Sequence, residues 1–324
     1  MVKNDIVLVT GGSGYIGSAL VEKLLDEGVK VRVVDALIHG YNPLAIHYNN
    51  QNFEFIEGDL NDINIVRNSL EGVQSIVHLA AIVGDPACAR NHEFSMKNNY
   101  EVTKSIVDLA AENGVQRLAF ASTCSNYGIK SDNEICTEEA TLNPVSVYAV
   151  SKVKSEEYIQ GHTVNGLTAT ILRFSTAFGL SKRMRFDLLV NDFTKEAITN
   201  GRVSVYNGNS WRPYLHIFDI ADAIIRVFNS DEKTVANQIF NIGDNGMNYT
   251  KQTIADMVER EIPGTIFSFE TKGEDPRSYS VDFTKIRDVL GFKAGKSISD
   301  GIKEIKVALD SHIISDPENK KYYN

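Results

Sequence analysis

The chain carries no excess of basic residues, no long apolar run and too few cysteines to build a framework from them. Its 33 basic residues against 42 acidic ones leave a formal charge of −9, the wrong sign for following a phosphate backbone, so nucleic acid is not expected as a partner. No apolar stretch approaches the ~18 residues needed to span a bilayer, so no membrane contact is expected. Cys88, Cys124 and Cys136 are an odd number and share no CxxC spacing, which fits neither a disulfide framework nor a zinc site; no metal is expected. Repeats and low-complexity segments are absent as well. The opening residues, MVKNDIVLVTGG, run into a strand pattern without the apolar core and cleavage site of a signal peptide. A cytoplasmic, soluble protein is the expectation.

What the sequence does have is a regular alternation. Residues 5–10, 30–35, 53–59, 74–80, 117–122 and 168–174 read as strands, with helical spacing over 15–28, 63–72, 98–114 and about 148–160. The strand runs are continuously apolar rather than alternating, the signature of a parallel sheet covered on both faces. The segment 237–243 reads as one more strand of that sheet, and the polar 315–324 as a loosely held end.

Between the first strand and the first helix lies TGGSGYIG. Gly11, Gly14 and Gly17 stand three apart, Gly12 completes a GxGxxG, and Tyr15 and Ile16 open the helix. Glycine lets the chain turn sharply, lets its backbone approach a pyrophosphate, and lets the helix pack closely on the strand. The phosphates then meet free N–H groups at the positive end of the helix dipole. Asp35 ends the second strand 18 residues beyond Gly17, placed to accept hydrogen bonds from ribose hydroxyls and to repel a 2′-phosphate. NAD is therefore expected in preference to NADP, although Arg32 stands nearby. A second motif, YAVSK, places Tyr148 and Lys152 at i and i+4, on one face of a helix. A free phenol, with a pKa of about 10, is a poor base at neutral pH, but an ammonium and a positively charged nicotinamide ring would favour the phenolate.

Together, TGGSGYIG, Asp35, GDL (58–60), HLAA (78–81), STCSNYG, YAVSK and WRPYLHIFDIADA (211–223) resemble the extended short-chain dehydrogenase/reductase superfamily. More closely, they resemble its NAD-dependent nucleotide-sugar epimerase/dehydratase family. The resemblance runs from residue 5 to about 295, with the motifs in the family's order. It implies an α/β fold: a Rossmann-type doubly wound parallel sheet with a smaller C-terminal substrate-binding domain. The NAD-binding domain would take residues 1–176, with 218–245 returning to it, and the nucleotide-sugar-binding domain 177–217 and 246–324. Family members usually pair as homodimers through two helices, here about 98–113 and 148–160.

Residue by residue, the resemblance implies that Asp59 and Leu60 lie beside the adenine, that Leu79, Ala80 and Ala81 line the path to the nicotinamide, and that Asn99 belongs to the cofactor site. Thr123 matches the catalytic hydroxyl, four residues before the tyrosine of the YG pair; Tyr148 and Lys152 match the base and its partner. Arg212 matches an arginine on the nucleotide diphosphate. Arg277 matches a second, with Lys272 as an alternative, and Arg183 and Arg185 are expected near the same diphosphate. Cys124, Ser125 and Ser175 are candidate substrate contacts. His78 and His216 fall within apolar runs and read as core or supporting residues. Cys88 reads as a buried structural thiol or as part of the site wall.

The family shares an opening oxidation at a sugar carbon, usually C4, and divides afterwards. Its 4,6-dehydratases typically place Asp and Glu after the catalytic hydroxyl; here stand Cys124 and Ser125, which weakens the dehydratase and the uronic-acid decarboxylase readings. What survives is 4-epimerisation of a nucleotide-diphosphate sugar, or net 4-dehydrogenation or 4-ketoreduction with NAD(H) turnover. A 3- or 3,5-epimerase would give Cys124 a role as a base. A non-catalytic NAD-binding protein is the reading from another class, opposed by the intact Thr123, Tyr148 and Lys152.

Overall fold

The computed structural model describes residues 5–131, 134–162, 166–271 and 277–324. From the start the chain runs β1 (Ile6–Thr10), α1 (Tyr15–Asp26), β2 (Lys30–Asp35), β3 (Phe53–Glu57), α2 (Ile63–Ser69), β4 (Val73–His78), α3 (Asp85–Arg90), α4 (His92–Met96), α5 (Val102–Glu112) and β5 (Arg117–Thr123). It continues through β6 (Ile135–Cys136), α6 (Val147–Gly161), β7 (Thr168–Phe174), β8 (Thr176–Phe178), α7 (Leu189–Asn200), β9 (Arg202–Tyr206), β10 (Trp211–His216), α8 (Ile217–Asn229) and α9 (Glu232–Val235). The remainder is β11 (Ile239–Ile242), β12 (Asn248–Thr250), α10 (Lys251–Glu261), β13 (Ile266–Glu270), β14 (Ser280–Val281), α11 (Thr284–Leu290) and α12 (Ile298–Asp310).

Seven strands form one sheet in the order β11-β7-β5-β4-β1-β2-β3, every pair parallel. Successive side chains of a strand point to opposite faces, and helices cover both, so the inner strands carry apolar residues on both faces. In β1, Val7 and Val9 pack with Leu20 and Leu24 of α1 and Ile220 and Ile224 of α8. Leu8 faces the other way, into a cluster with Ile106 of α5 and Ile159 of α6. This is the Rossmann-type doubly wound sheet. The strand 239–242 joins it at the β7 edge, as the sequence suggests.

A third cluster lies outside this sheet, where Phe178, Val190, Phe193 and Tyr214 pack with Ile254, Val258 and Ile302. It is served by the small sheets β12-β10-β8 and β13-β9. The strand order reverses between β1 and β4, and the loops leaving their carboxyl ends open a crevice where such sheets take ligands. No helix among the described residues is long and apolar enough to cross a membrane.

The end of the chain departs from expectation. Residues 315–324 are not loosely held: Phe186 N donates to Tyr322 O (2.9 Å), and the Phe186 and Tyr322 rings meet edge to face. Lys195 Nζ donates to Tyr323 Oη at 3.0 Å. The polar composition conceals two tyrosines that each find an anchor.

Candidate active site

A cleft of about 730 Å³ runs along the carboxyl end of the sheet. Its floor begins at the glycine loop. Gly11 has φ +71°, and a Cβ there would meet the Ala80 backbone at 2.8 Å; a Cβ on Gly17 would meet Gly12 Cα at 2.7 Å. The first contact concerns the loop's approach to the next strand, the second the helix's approach to the loop, so both glycines are sterically required. Gly14 occupies the N-cap of α1 without a side-chain cap, leaving the first-turn N–H groups of the helix directed at the cleft. Asp35 accepts from Ser13 N and Leu37 N, each at 2.9 Å. Burial raises its carboxyl pKa, opposed by those two bonds. Glycine cradle, open helix end and fixed carboxylate together fit a dinucleotide. Asp59, Leu60, Leu79, Ala80 and Ala81 line the same cleft, with Tyr15, Ile16 and Gly17.

Asn99, by contrast, supports the wall from behind. It sits in a single π-helical turn, Lys97–Glu101, that opens the segment expected as plain helix from 98. Its amide accepts from Ile82 N (2.7 Å), donates to Ile82 O (2.9 Å) and reaches Ser151 Oγ (3.2 Å), tying the loop after β4 to α6.

Thr123, Tyr148 and Lys152 come together on the cleft. Thr123 is the last residue of β5, held level with Phe174 of β7 by the parallel register. Its Oγ1 accepts from Ser125 N at 3.1 Å, so the hydroxyl proton remains for a substrate oxygen. Helix α6 starts at the Ser146 cap, and Tyr148 and Lys152 follow on one face. Lys152 is 2% exposed, its Nζ 4.7 Å from the Phe120 ring centroid and 5.9 Å from that of Tyr148. Burial pulls its pKa down to about 8, against the opposing pull of Cys88 and Glu156.

The turn after Thr123 is pinned from below by a buried ion pair. Glu156 of α6 meets Arg173 of β7 through Nη2 at 2.7 Å, and the same carboxylate accepts from Asn126 at 2.9 Å and from Ser122. Arg173 also donates to Tyr127 Oη (3.1 Å), which donates to Asn241 of β11 at 2.6 Å. Sequence patterning misses this network, although an arginine within the wholly buried TATILRF was a usable signal.

Cys124 corrects the sequence reading. It is 1% exposed, its thiol donates to Arg173 O at 3.2 Å, and it does not line the cleft. Burial drives its pKa well up. The cause is the 3-10 turn Cys124–Tyr127, which rotates this side chain beneath the strand ends. Ser125 does line the cleft, where its Oγ is 3.3 Å from both Tyr279 Oη and Arg277 Nη1. Arg277 lies beside Arg212, whose guanidinium donates to the Arg277 carbonyl and stacks 5.0 Å from the Tyr279 ring. Ser175 lines the cleft too, its hydroxyl donating to Ile242 O at 2.7 Å.

Arg185 lines the same cleft, where it is ion-paired with Asp187 at 2.5 Å and its charge acts on Tyr15 and His39. Lys272 lies outside the described residues. His78 is a core residue, bonded to Thr10 (2.7 Å) and Thr103 (3.0 Å), and burial lowers its pKa to about 3. His216 caps α8 and meets Glu304 at 2.8 Å. Cys88 is buried, its thiol donating to Ile82 O at 3.2 Å. No group of three or more metal-ligating side chains gathers among the described residues.

A model of the NAD dependent epimerase/dehydratase family matches residues 7–243. The chain belongs to that family. Like other epimerase/dehydratase family members it is an enzyme of the extended short-chain dehydrogenase/reductase type, and NAD is its cofactor. It is 29% identical over 309 residues to a UDP-glucose 4-epimerase of Lactobacillus helveticus, covering 89% of this chain and 91% of that one. Among solved structures it resembles DesIV, a dTDP-glucose 4,6-dehydratase from Streptomyces venezuelae solved with NAD, at TM-score 0.83 and 27% identity over 98% and 99% of the two chains. MoeE5 in complex with UDP-glucose and NAD matches at TM-score 0.82 and 25% identity, over 95% and 99%. Family relatives thus include epimerases and dehydratases, and also a UDP-glucuronic acid decarboxylase of Arabidopsis thaliana.

Proposed function

We propose that the protein is an NAD-dependent epimerase of a nucleotide-diphosphate sugar, acting through a keto intermediate at C4. The observation that carries this reading is the turn after Thr123, which presents the cleft with a serine hydroxyl tied to Arg277 and a thiol turned away. Elimination of water needs an acid and a base at that turn; hydride removal and return need neither. The cleft carboxylate contributed by α7, Asp192, stands 3.6 Å from Lys195 Nζ.

In this reading, the chemistry that bound NAD would supply is acceptance of a hydride from the sugar carbon and its return. Thr123 holds the sugar oxygen by donating its remaining proton. Tyr148 accepts the proton of the same hydroxyl and returns it after the sugar has turned over. Lys152, one helical turn on, favours the phenolate by its charge. Arg212 and Arg277 take the diphosphate, for which paired guanidiniums are suited. The nucleotide sugar would lie between a cofactor domain, 1–176 with 218–245, and a second domain, 177–217 with 246–324. The separate cluster around Phe193 and Tyr214 supports that division. A homodimer pairing residues 98–113 and 148–160 belongs to the same proposal, and light scattering tests it.

The deciding experiment incubates the enzyme with a panel of nucleotide sugars and follows the products by NMR and the cofactor at 340 nm. Epimerisation gives a new 4-epimer with no net absorbance change. Stoichiometric NADH would replace the reading with a 4-dehydrogenase, and a dehydrated 4-keto-6-deoxy product would overturn it.

A further inference from the structure

The glycine loop has a neighbour along the same cleft. Residues 179–187 lie over the first turn of α1: Tyr15 Oη donates to Gly179 O at 2.6 Å, and Ser181 Oγ donates to Tyr15 O at 2.9 Å. This brings Arg183 to the cleft wall, 2% exposed. Asp35 and Asp187 act on it only at a distance, and among the described residues its buried Nε has no hydrogen-bond partner. A buried guanidinium without a bonded carboxylate, beside a second arginine, is an unstable arrangement unless an anion completes it. Burial and the repulsion of Arg185 pull its pKa down to about 10, the direction expected of a cation short of counter-charge.

What holds Arg183 in place comes from far along the chain. Its Nη2 donates to Tyr323 O (3.3 Å) and to Asn324 Oδ1 (2.5 Å). The Asn324 amide in turn donates to Val83 O at 3.4 Å, on the loop that leaves β4. Residues 323–324 therefore bridge the two rims of the cleft, with Arg183 bonded to the bridge. The same cleft is lined by the uncapped N-terminus of α1, which also favours negative charge.

We propose that Arg183 forms the second half of the anion site for the dinucleotide's pyrophosphate, the first being the N-terminus of α1, and that Tyr323 and Asn324 are positioning residues for it. The ligand class is a nucleoside diphosphate moiety, and the inference rests on NAD as the cofactor, whatever reaction follows. It also moves Arg183 from the substrate's diphosphate, where the family resemblance puts it, to the cofactor's.

The test measures affinities of the full chain for NAD, ADP and adenosine by calorimetry, after exchanging any bound nucleotide. A charged hydrogen bond to phosphate implies that Arg183→Gln weakens NAD and ADP about tenfold or more while leaving adenosine within about twofold. Arg183→Lys recovers part of the loss, because the charge remains and the fork is gone. Asn324→Ala, which removes only a side chain at the bridge, weakens NAD and ADP severalfold and again spares adenosine. Parallel loss of adenosine, or unchanged NAD and ADP affinity in Arg183→Gln, overturns the phosphate assignment. Unchanged NAD affinity in Asn324→Ala overturns the positioning role, and that variant decides the matter should Arg183→Gln fail to fold. An enzyme that binds NAD as expected yet epimerises nothing would leave this inference intact and sink only the proposed reaction.

Discussion

Lys152 holds its ammonium 5.9 Å from the centre of the Tyr148 ring, one helical turn away on α6. The helix sets the two residues on one face, and burial of Lys152 against Phe120 holds its ammonium there. Tyr148→Phe keeps the ring and removes the acid–base group. Turnover should fall by roughly 10²–10⁴, the usual worth of a positioned proton-transfer group, with NAD affinity unchanged. Steady-state rates and NAD titration on the same preparation check this; retained turnover would remove Tyr148 from the mechanism.

Lys152 should cost the fold stability. Its pKa is lowered to about 8 in the folded protein from an ordinary 10.5, so below pH 8 the folded state carries a buried charge that the unfolded chain solvates. As pH rises from 8 to 10.5 the folded state sheds that proton first, and stability rises through that window. Lys152→Met should therefore abolish activity yet stabilise the protein at pH 7 by roughly 3 kcal/mol or somewhat less. The gap should close by about pH 10, as melting curves at several pH values would show. A destabilised variant at pH 7 would contradict the direction.

Cys124→Ala should retain activity within a few-fold and lose about 1 kcal/mol of packing. Its thiol faces the Arg173 carbonyl rather than the cleft. A loss of a hundredfold in turnover would revive its role as a base.

Gly11→Ala should eliminate NAD binding. The new methyl would need φ +71° and would press on the Ala80 backbone, so the loop must shift away from the cofactor path. Tight NAD binding by the variant, measured by calorimetry, would refute the close-approach argument.

Removing one member of the Glu156–Arg173 pair should destabilise the protein by about 3–5 kcal/mol, since the survivor is left charged and buried. Arg173→Met with Glu156→Leu should cost less than the sum of the single changes. Additivity in denaturant unfolding would show that the pair is not coupled.

Much of this molecule was legible in its sequence because the central strands are mostly apolar and their punctuation is glycine. The cradle at Gly11, Gly14 and Gly17, the fixed Asp35 and the pairing of Tyr148 with Lys152 follow from local chemistry at short spacing, whereas Thr123 is reached through the family resemblance. What stayed hidden depends on the direction of side chains in irregular segments. The tight turn after β5 breaks strand alternation, so nothing in STCS reveals that Cys124 points down and Ser125 up. Arg185 and Arg212 look alike on paper, and only the fold shows the first paired with Asp187 and the second bonded to the Arg277 carbonyl. Tyr323 and Asn324 sit in a segment whose composition suggests solvent, and their contacts with Arg183 span 140 and 141 residues of sequence.

The central sheet takes its outer strand, β11, only after the chain has already built β8 and β10 in another sheet, and β12 then returns to that other sheet at once. A fragment ending after β7 would leave a bare, apolar strand edge, an invitation to mispairing with other chains. Neither half can therefore be lifted out as a cassette and grafted onto another protein. Changing what the cleft accepts in such an architecture calls for point changes along its walls rather than an exchange of halves.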